Sequence, residues 1–587
     1  MPTQAIILHL GSPGPNEVLL GRFLDFFAVP WKQVEVCQLA NIEGSTKDYV
    51  AFGSIHAVVA AVRELRGAAL PAAFYAYADD ERGRCISALQ FLFRDTNVSL
   101  KEAPEGKTSL CVSAEMAELA GPMAGLMVFS ILKREDAIVI NAPTGGNTKF
   151  VPVILAGGAP VFLRLEQEGV PVYLCTSSYM VDIDQPLVQG YYDVKTHFCS
   201  AVPLLMFIRF MFPTLAWHPQ ELSACLIIDD PLLKPQYGFC DFAKLRDLMR
   251  QHGFTTNIAF IPWNWRRTSS AAADFFKNES THFSISIHGC DHTAGEFGAT
   301  STKVLHSTAR LAQSRMQNHQ ARTGIQHDPI MVFPQGVFSS ACPDVLKQNG
   351  FLAAVNTEIV PVDSNNARTR IRDVWDVAIL TYGSFPIFTR RYPSHGLENF
   401  AFDLLLGKPC LIVTHQDFFK DAGAGLIELI DNLASLRCSL NWRPLGEVIR
   451  RACRRRATGT GMEEVEMYGS ELLIGNSSEQ PTEGTVRKRK GQHDQVSDVL
   501  CEGKPITWET EGEHLVFRQR IDARSEKYCQ VVYQRQAPPK MERRSVGFEL
   551  SVAARRVLSE FRDNYFSKSR FLNAPIGKLK NIVKSAF

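Results

Sequence analysis

Five titratable residues stand at the ends of three apolar runs. Asp229 and Asp230 follow the run Cys225–Ile228 and precede Pro231, which cannot continue a strand ladder. Two adjacent carboxylates are costly, because like charges push one pKa up unless a cation sits between them. His288 and His292 follow the run Phe283–Ile287 with the spacing His-x-x-x-His. Two imidazoles and one carboxylate are the ligand set of a catalytic zinc-type site that keeps a position open. His415 follows a third run, Pro409–Thr414, and leads into Gln416, Asp417, Phe418 and Phe419. Each run reads as a buried parallel strand. Strands that deliver titratable groups at their C-terminal ends place chemistry where parallel barrels and open sheets place it.

The elements around these runs divide the chain. Residues 1–215 alternate strand and helix, with strands at Ala5–Leu10, Ala72–Tyr77, Leu110–Ser113, Ala137–Asn141, Val151–Leu155 and Val172–Thr176. This predicts a doubly wound, flavodoxin-like α/β domain. The loop Pro143–Thr148 carries two glycines after a strand, but an ordinary turn is the simpler reading than an anion site. Residues 220–455 repeat strand and helix at least six times: helices at Phe242–Gln251 and Ser301–Arg322, strands at Thr255–Ile261, Ile330–Phe333, Phe351–Asn356 and Val374–Leu380. A parallel (β/α) barrel or a large sheet follows. Arg454–Gly461 reads as an exposed linker from its glycines and charge. Residues 462–540 alternate in strand fashion and predict a small β-rich accessory domain. Residues 541–587 form a basic helical tail: Lys540–Phe587 holds eleven Lys/Arg against four Asp/Glu. A solvated face is its default reading, and a weak contact with a membrane or another acidic surface is the alternative.

The middle unit resembles the NodB-homology polysaccharide deacetylases, carbohydrate esterase family 4. In that family one strand ends in two aspartates and a second in His-x-x-x-His. A third delivers Arg-x-Pro-Tyr-Gly, a fourth a Trp and a fifth Leu-x-His. The counterparts here are Asp229-Asp230, His288 and His292, Phe333-Pro334-Gln335-Gly336, Trp375 and Thr414-His415. Val332 stands where the arginine would be, and Gln335 replaces the aromatic. The resemblance implies one divalent metal, zinc before others, on Asp230, His288 and His292. It implies Asp229 as general base, the backbone N–H of Gln335 after Pro334 as an oxyanion donor, and His415 as the acid for the leaving amine. Asp373, Asp376 or Asp417 would hold His415 as imidazolium, and Trp263, Trp375 and Phe418 would offer apolar faces to a sugar. A substitute cation for Asp229 is expected from Arg372, with Lys234 as the second choice.

Composition narrows the functions. The formal net charge of +2 in 587 residues gives no global field for nucleic acid. The 14 cysteines are scattered and form no CxxC pair, which suits a reducing, cytoplasmic setting and supports neither a disulfide framework nor a cysteine zinc site. Met1–Leu10 lacks a basic n-region and reads as a first strand. The resemblance implies an acetylated amino sugar in a glycan or its precursor as substrate, and the lack of a basic n-region points to an intracellular one. The apolar stretch Ala201–Trp217 carries Arg209 and two prolines and predicts a buried helix. Three functions compete: a metal-dependent carbohydrate N-deacetylase, a carbohydrate-binding protein on a decayed deacetylase scaffold, and a hydrolase of another amide.

Overall fold

The computed structural model describes residues 2–41, 47–65, 70–78, 82–102, 107–131, 138–141, 149–187, 190–364, 369–458, 462–492, 494–534 and 544–565. The loop Pro143–Thr148, and with it its anion reading, lies outside the described residues.

The central unit is built from seven parallel strands, here β1 Leu222–Asp229, β2 Thr256–Phe260, β3 Phe283–His288, β4 Ile330–Val332, β5 Ala353–Asn356, β6 Ile387–Thr389 and β7 Cys410–Thr414. Their order is β6-β5-β4-β3-β2-β1-β7, and Leu440–Trp442 pairs beside β1. One parallel bridge, Arg391 with Ile412, brings the β6 end against β7. The backbone N–H of Arg391 donates to the Leu411 carbonyl at 2.9 Å, and the Val413 N–H donates to the Arg391 carbonyl at 2.9 Å. The strands are buried on both faces, which is why they read as unbroken apolar runs. The helices between them carry their own stop signals. Asp241 caps Phe242–His252 through the N–H groups of Ala243 and Lys244, and Gly253 ends it at φ 69°. Ser301 caps Thr302–Thr323, and Gly324 ends it at φ 74°.

One expected strand is different. Val374–Leu380 does not form the fourth motif's strand: Ile371–Trp375 is a short helix, and the ladder position falls to Ile387–Thr389. Val374–Leu380 has the apolar content of a strand but supplies packing residues instead.

The N-terminal unit is a nine-stranded mixed sheet. Gln4–His9, Trp31–Glu35, Tyr49–Ser54, Ala73–Tyr77 and Val170–Cys175 are parallel, as the α/β reading expects. The strands Lys107–Val112, Met127–Ile131, Phe150–Ala156 and Ala159–Gln167 are instead an antiparallel extension. The hairpin at Gly157-Gly158, both with positive φ, lets the chain reverse without a crossover helix.

Phe198–Met211 is the helix expected from the apolar stretch. The longer stretch Val194–Met211 is long and apolar enough to cross a membrane, yet Phe198–Ile208 are buried. Phe207 packs on Phe52, Tyr75 and Tyr173 at centroid distances of 5.4, 5.1 and 5.0 Å. Arg209 is accommodated by the Leu405, Leu406 and Trp217 carbonyls, which accept its donors.

The β-rich unit is a sandwich of two sheets closed over Val465, Leu472, Val486, Val499, Phe517 and Val531. Its first strand corrects the linker reading of Arg454–Gly461 as far as Ala457; positions 459–461 lie outside the described residues. Cys453–Ala457 pairs with His218–Pro219 on one side and Glu463–Met467 on the other. Arg454, Arg455 and Arg456 meet Glu466, Glu463 and Glu464 across the hairpin, and Arg454 also meets Asp376. Opposite charge on facing strand positions makes an arginine run a strand rather than a linker.

Candidate metal centre and active site

All the sequence-selected groups that end central strands lie at the C-terminal end of the barrel. Asp229 ends β1 and Asp230 follows it with φ 81°, a left-handed conformation that an aspartate adopts only at a cost. His288 ends β3, and His292 sits in the next loop at φ 58°. That loop is held by Glu296, whose carboxylate accepts from the backbone N–H groups of Cys290, Asp291 and His292 at 2.8, 3.0 and 3.2 Å. Gly289, at φ 64°, permits the approach: a Cβ there would stand 2.0 Å from Glu296 Oε1 and 2.4 Å from Pro334 Cγ. Asp291 is buried and paired with Arg315 and Arg544.

Asp230 Oδ1 lies 3.0 Å from His292 Nε2 and 3.3 Å from His288 Nε2, and the two imidazole rings are 4.8 Å apart. The ligand atoms of the three residues all fall within 4.8 Å of one another. His288 Nδ1 sits 3.0 Å from the Val332 carbonyl, which can only accept, so Nδ1 carries the proton and Nε2 presents a lone pair. Asp230 Oδ1 is buried and has no hydrogen-bond partner among the described residues. Electron pairs therefore converge on one point, and the donor set of two imidazoles and one carboxylate fits a divalent cation. Burial pushes the Asp230 carboxyl up, but the two imidazoles outweigh it and hold it well below the usual carboxylate range. Against burial, Asp229 and Asp230 raise the affinity of His288 for positive charge.

Asp229 is 4% exposed and is gripped by Arg390, Nη1 to Oδ1 at 2.7 Å and Nη2 to Oδ2 at 2.8 Å. Burial pushes its carboxyl up, and Arg390, with His288 and His415, holds it below the ordinary value. Arg390 is thus the cation on Asp229, in place of the expected Arg372 or Lys234, both of which are engaged elsewhere. Arg372 pairs with Asp184 at 2.9 Å, and Lys234 with Glu560 at 2.6 Å. Arg390 enters from the end of β6, next to the residue that bridges to β7. Successive residues of an extended chain point to opposite faces, so Arg390 turns into the barrel and Arg391 turns out to Asp403 and the Tyr192 carbonyl. The signal in the sequence is the Arg390-Arg391 pair after Ile387-Phe388-Thr389.

The remaining expectations divide. His415 follows β7 and stacks on Tyr392 at 6.2 Å and 15°. Among the described residues no carboxylate lies within ion-pair distance of it: Asp373 accepts from the Arg370 N–H at 2.7 Å, Asp376 takes the Tyr468 hydroxyl and Arg454, and Asp417 is exposed. Trp375 is not at the mouth. It is 1% exposed and packs edge-on to Phe23, Phe26, Tyr192 and Phe402 between the barrel and the N-terminal unit. Trp263, Phe418, Pro334 and Gln335 do lie on loops after β2, β7 and β4. Trp263 is half-buried, and its backbone N–H donates to the Cys290 carbonyl at 3.0 Å. Gln335 is exposed, at φ 57°.

The C-terminal helix, Val546–Asn564, lies against this same end of the barrel. Glu560 pairs with Lys234 and Arg267, and the Tyr237 hydroxyl donates to Asp563 at 2.8 Å. The Gly238 N–H donates to Asn564 at 2.9 Å, and Arg544 precedes the helix on Asp291.

No family model and no curated protein matches the chain. Solved structures do. A crystal structure of Agd3, a novel carbohydrate deacetylase, is 8% identical with a TM-score of 0.46, over 90% of this chain and 98% of that one. A family 4 carbohydrate esterase from Streptomyces lividans, in complex with acetate, is 15% identical with a TM-score of 0.23, over 37% of this chain and 89% of that one. A CE4 esterase from Streptococcus mutans is 12% identical with a TM-score of 0.25, over 38% and 86%. The likeness is distant in each case, and the family 4 matches span less than half of this chain.

Proposed function

We propose that the chain is a metal-dependent hydrolase that removes N-acetyl groups from an acetylated amino sugar in a glycan or glycan precursor. The observation that carries this reading is the buried Asp229–Arg390 pair standing beside the converging Asp230, His288 and His292. A carboxylate kept ionised next to a cation site is a general base poised for water.

Asp230, His288 and His292 hold the metal, zinc first among candidates for this ligand set. When bound, the metal supplies Lewis acidity for the acetyl carbonyl oxygen and for the attacking water. Asp229 takes the proton as the water oxygen bonds to the acetyl carbon. The backbone N–H of Gln335, on the loop after β4, is the candidate donor to the oxygen that gains charge. His415 gives its proton to the sugar nitrogen as the C–N bond breaks, and acetate and the free amine leave. Tyr392 orients the His415 ring by stacking. Trp263 and Phe418 offer apolar surface at the mouth; Trp375 has no part in it.

Val332 in the place of an arginine motivates a binding-only alternative. Arg390 supplies that charge from another strand, which favours an enzyme. The test is acetate release from N-acetylglucosamine oligomers by zinc-loaded protein. Release that Asp229→Asn abolishes, with metal content unchanged, is the expected result. Oligomers bound and never hydrolysed would return the binding reading.

A further inference from the structure

The C-terminal helix brings one more cation to the barrel mouth. Its docked face carries Val552, Arg556 and Asp563, all buried. Glu560 and Asp563, one and two turns beyond Arg556, are committed to Lys234, Arg267, Tyr237 and Arg562. Among the described residues Arg556 has no hydrogen bond or ion pair. It is 8% exposed, its Nε is buried without a hydrogen-bond partner, and among the described residues no carboxylate lies within ion-pair distance of it. A guanidinium so buried and unpaired is costly and is retained where something anionic meets it.

We propose that Arg556 is an anion subsite beside the metal centre, which selects amino-sugar substrates carrying an acidic group, a carboxylate, phosphate or sulfate, near the acetamide. The subsite rests on the deacetylase reading for the word substrate, but not for the anion. Asp230 is the foremost opposite charge acting on Arg556, ahead of Asp563. A metal on Asp230 uses up that counter-charge. Asp229 is already matched by Arg390, and so the loaded site holds an excess of positive charge, with Arg556 unmatched. A guanidinium fork suits a planar carboxylate or a phosphate through two parallel hydrogen bonds. The helix that supplies it is fastened to the loops after β1, β2 and β3, so the subsite adjoins the ligand triad.

The test uses the full-length, zinc-loaded chain and two probes. One is chitotetraose, which is neutral. The other is a hyaluronan tetrasaccharide, in which N-acetylglucosamine alternates with glucuronate. Binding is measured by calorimetry and acetate release by an enzymatic assay. The wild type should bind the acidic probe about tenfold or more tightly than the neutral one, the scale of one hydrogen bond to a charged group. Arg556→Met should remove that preference, and Arg556→Lys should restore part of it. Phosphate or sulfate should compete with the acidic probe in the wild type and not in Arg556→Met. A preference that survives Arg556→Met, or no preference in the wild type, overturns the subsite. Faster acetate release from both probes in Arg556→Met also overturns it, and would make the helix a cover over the site. If no acetate appears from either probe while the Arg556-dependent preference persists, the deacetylase reading fails and the anion subsite stands.

Discussion

Arg390 holds Asp229 through both terminal guanidinium nitrogens, Nη1 and Nη2, although 161 residues separate the two in sequence. The pair is buried, and removing one member of a buried ion pair is far costlier than never having had it. Arg390→Met should therefore lower stability by about 3–5 kcal/mol. It should also reduce acetate release by about 10²-fold, the scale of a disabled general base. Zinc content should stay near one per chain, because no metal ligand touches Arg390. Chemical denaturation, turnover and elemental analysis on one preparation check all three. Normal turnover would remove Arg390 from the catalytic account.

His288→Ala should empty the metal site, since a carboxylate and one imidazole rarely hold zinc tightly. Elemental analysis after dialysis reads this directly. Full retention of zinc would mean that the converging lone pairs are not the site. Gly289→Ala, which drives a methyl group against Glu296 and Pro334, should weaken zinc binding without altering any ligand.

Trp375 separates the packing role from the sugar-platform role. Trp375→Ala should cost about 3–5 kcal/mol, as large aromatic truncations in cores do. Trp375→Phe should cost less and leave the KM for acetylated oligomers unchanged. A raised KM in Trp375→Phe would put the ring back in the substrate's path.

Acid stability carries the mark of His319. It is 1% exposed, with Nε2 2.9 Å from the Thr268 hydroxyl, and burial first, then Arg322 and His327, lower its pKa to about 4. The unfolded chain regains a value near 6.5. Between these values the unfolded state binds more protons, so stability rises with pH across that window and is lost as pH falls from about 6.5 toward 4. The full window is worth about 3 kcal/mol for this one group. Melting temperature measured from pH 7 to pH 4 should fall less steeply in His319→Gln than in the wild type. Parallel curves would show that His319 does not titrate with unfolding.

The arginine run at 454–456 gives a prediction about proteolysis. These residues are ladder-paired and faced by Glu463, Glu464 and Glu466. Trypsin at low dose should spare Arg454–Arg456, and mass spectrometry of the first fragments reads this. A first cut there would restore the linker.

The parts of the site legible in sequence are those where a local pattern and its chemistry coincide. Asp229-Asp230, His288-x-x-x-His292 and His415 each end an apolar run, and strand ends can be read from the run itself. Arg390 could not be read this way, because its partner is chosen by the curvature that brings β6 around toward β7. Trp375 looked functional because its position in the motif order was right; its burial depends on a second domain, which no local pattern reveals. Arg454–Arg456 looked like a linker because charge without its facing strand suggests solvent. The docked face of the last helix buries Arg556 and Asp563, polar residues that hydrophobic periodicity assigns to the outside.

The bridge between Arg391 and Ile412 sets an order of events in the making of the protein. The chain is synthesised from its N-terminus, and the three metal ligands are complete at His292. Arg390 emerges 98 residues later, and the strand on which its neighbour closes the barrel later still. On the proposed function, the nascent chain would own its metal ligands before it owns the charge that tunes its base, and reactivity would wait for the barrel to close.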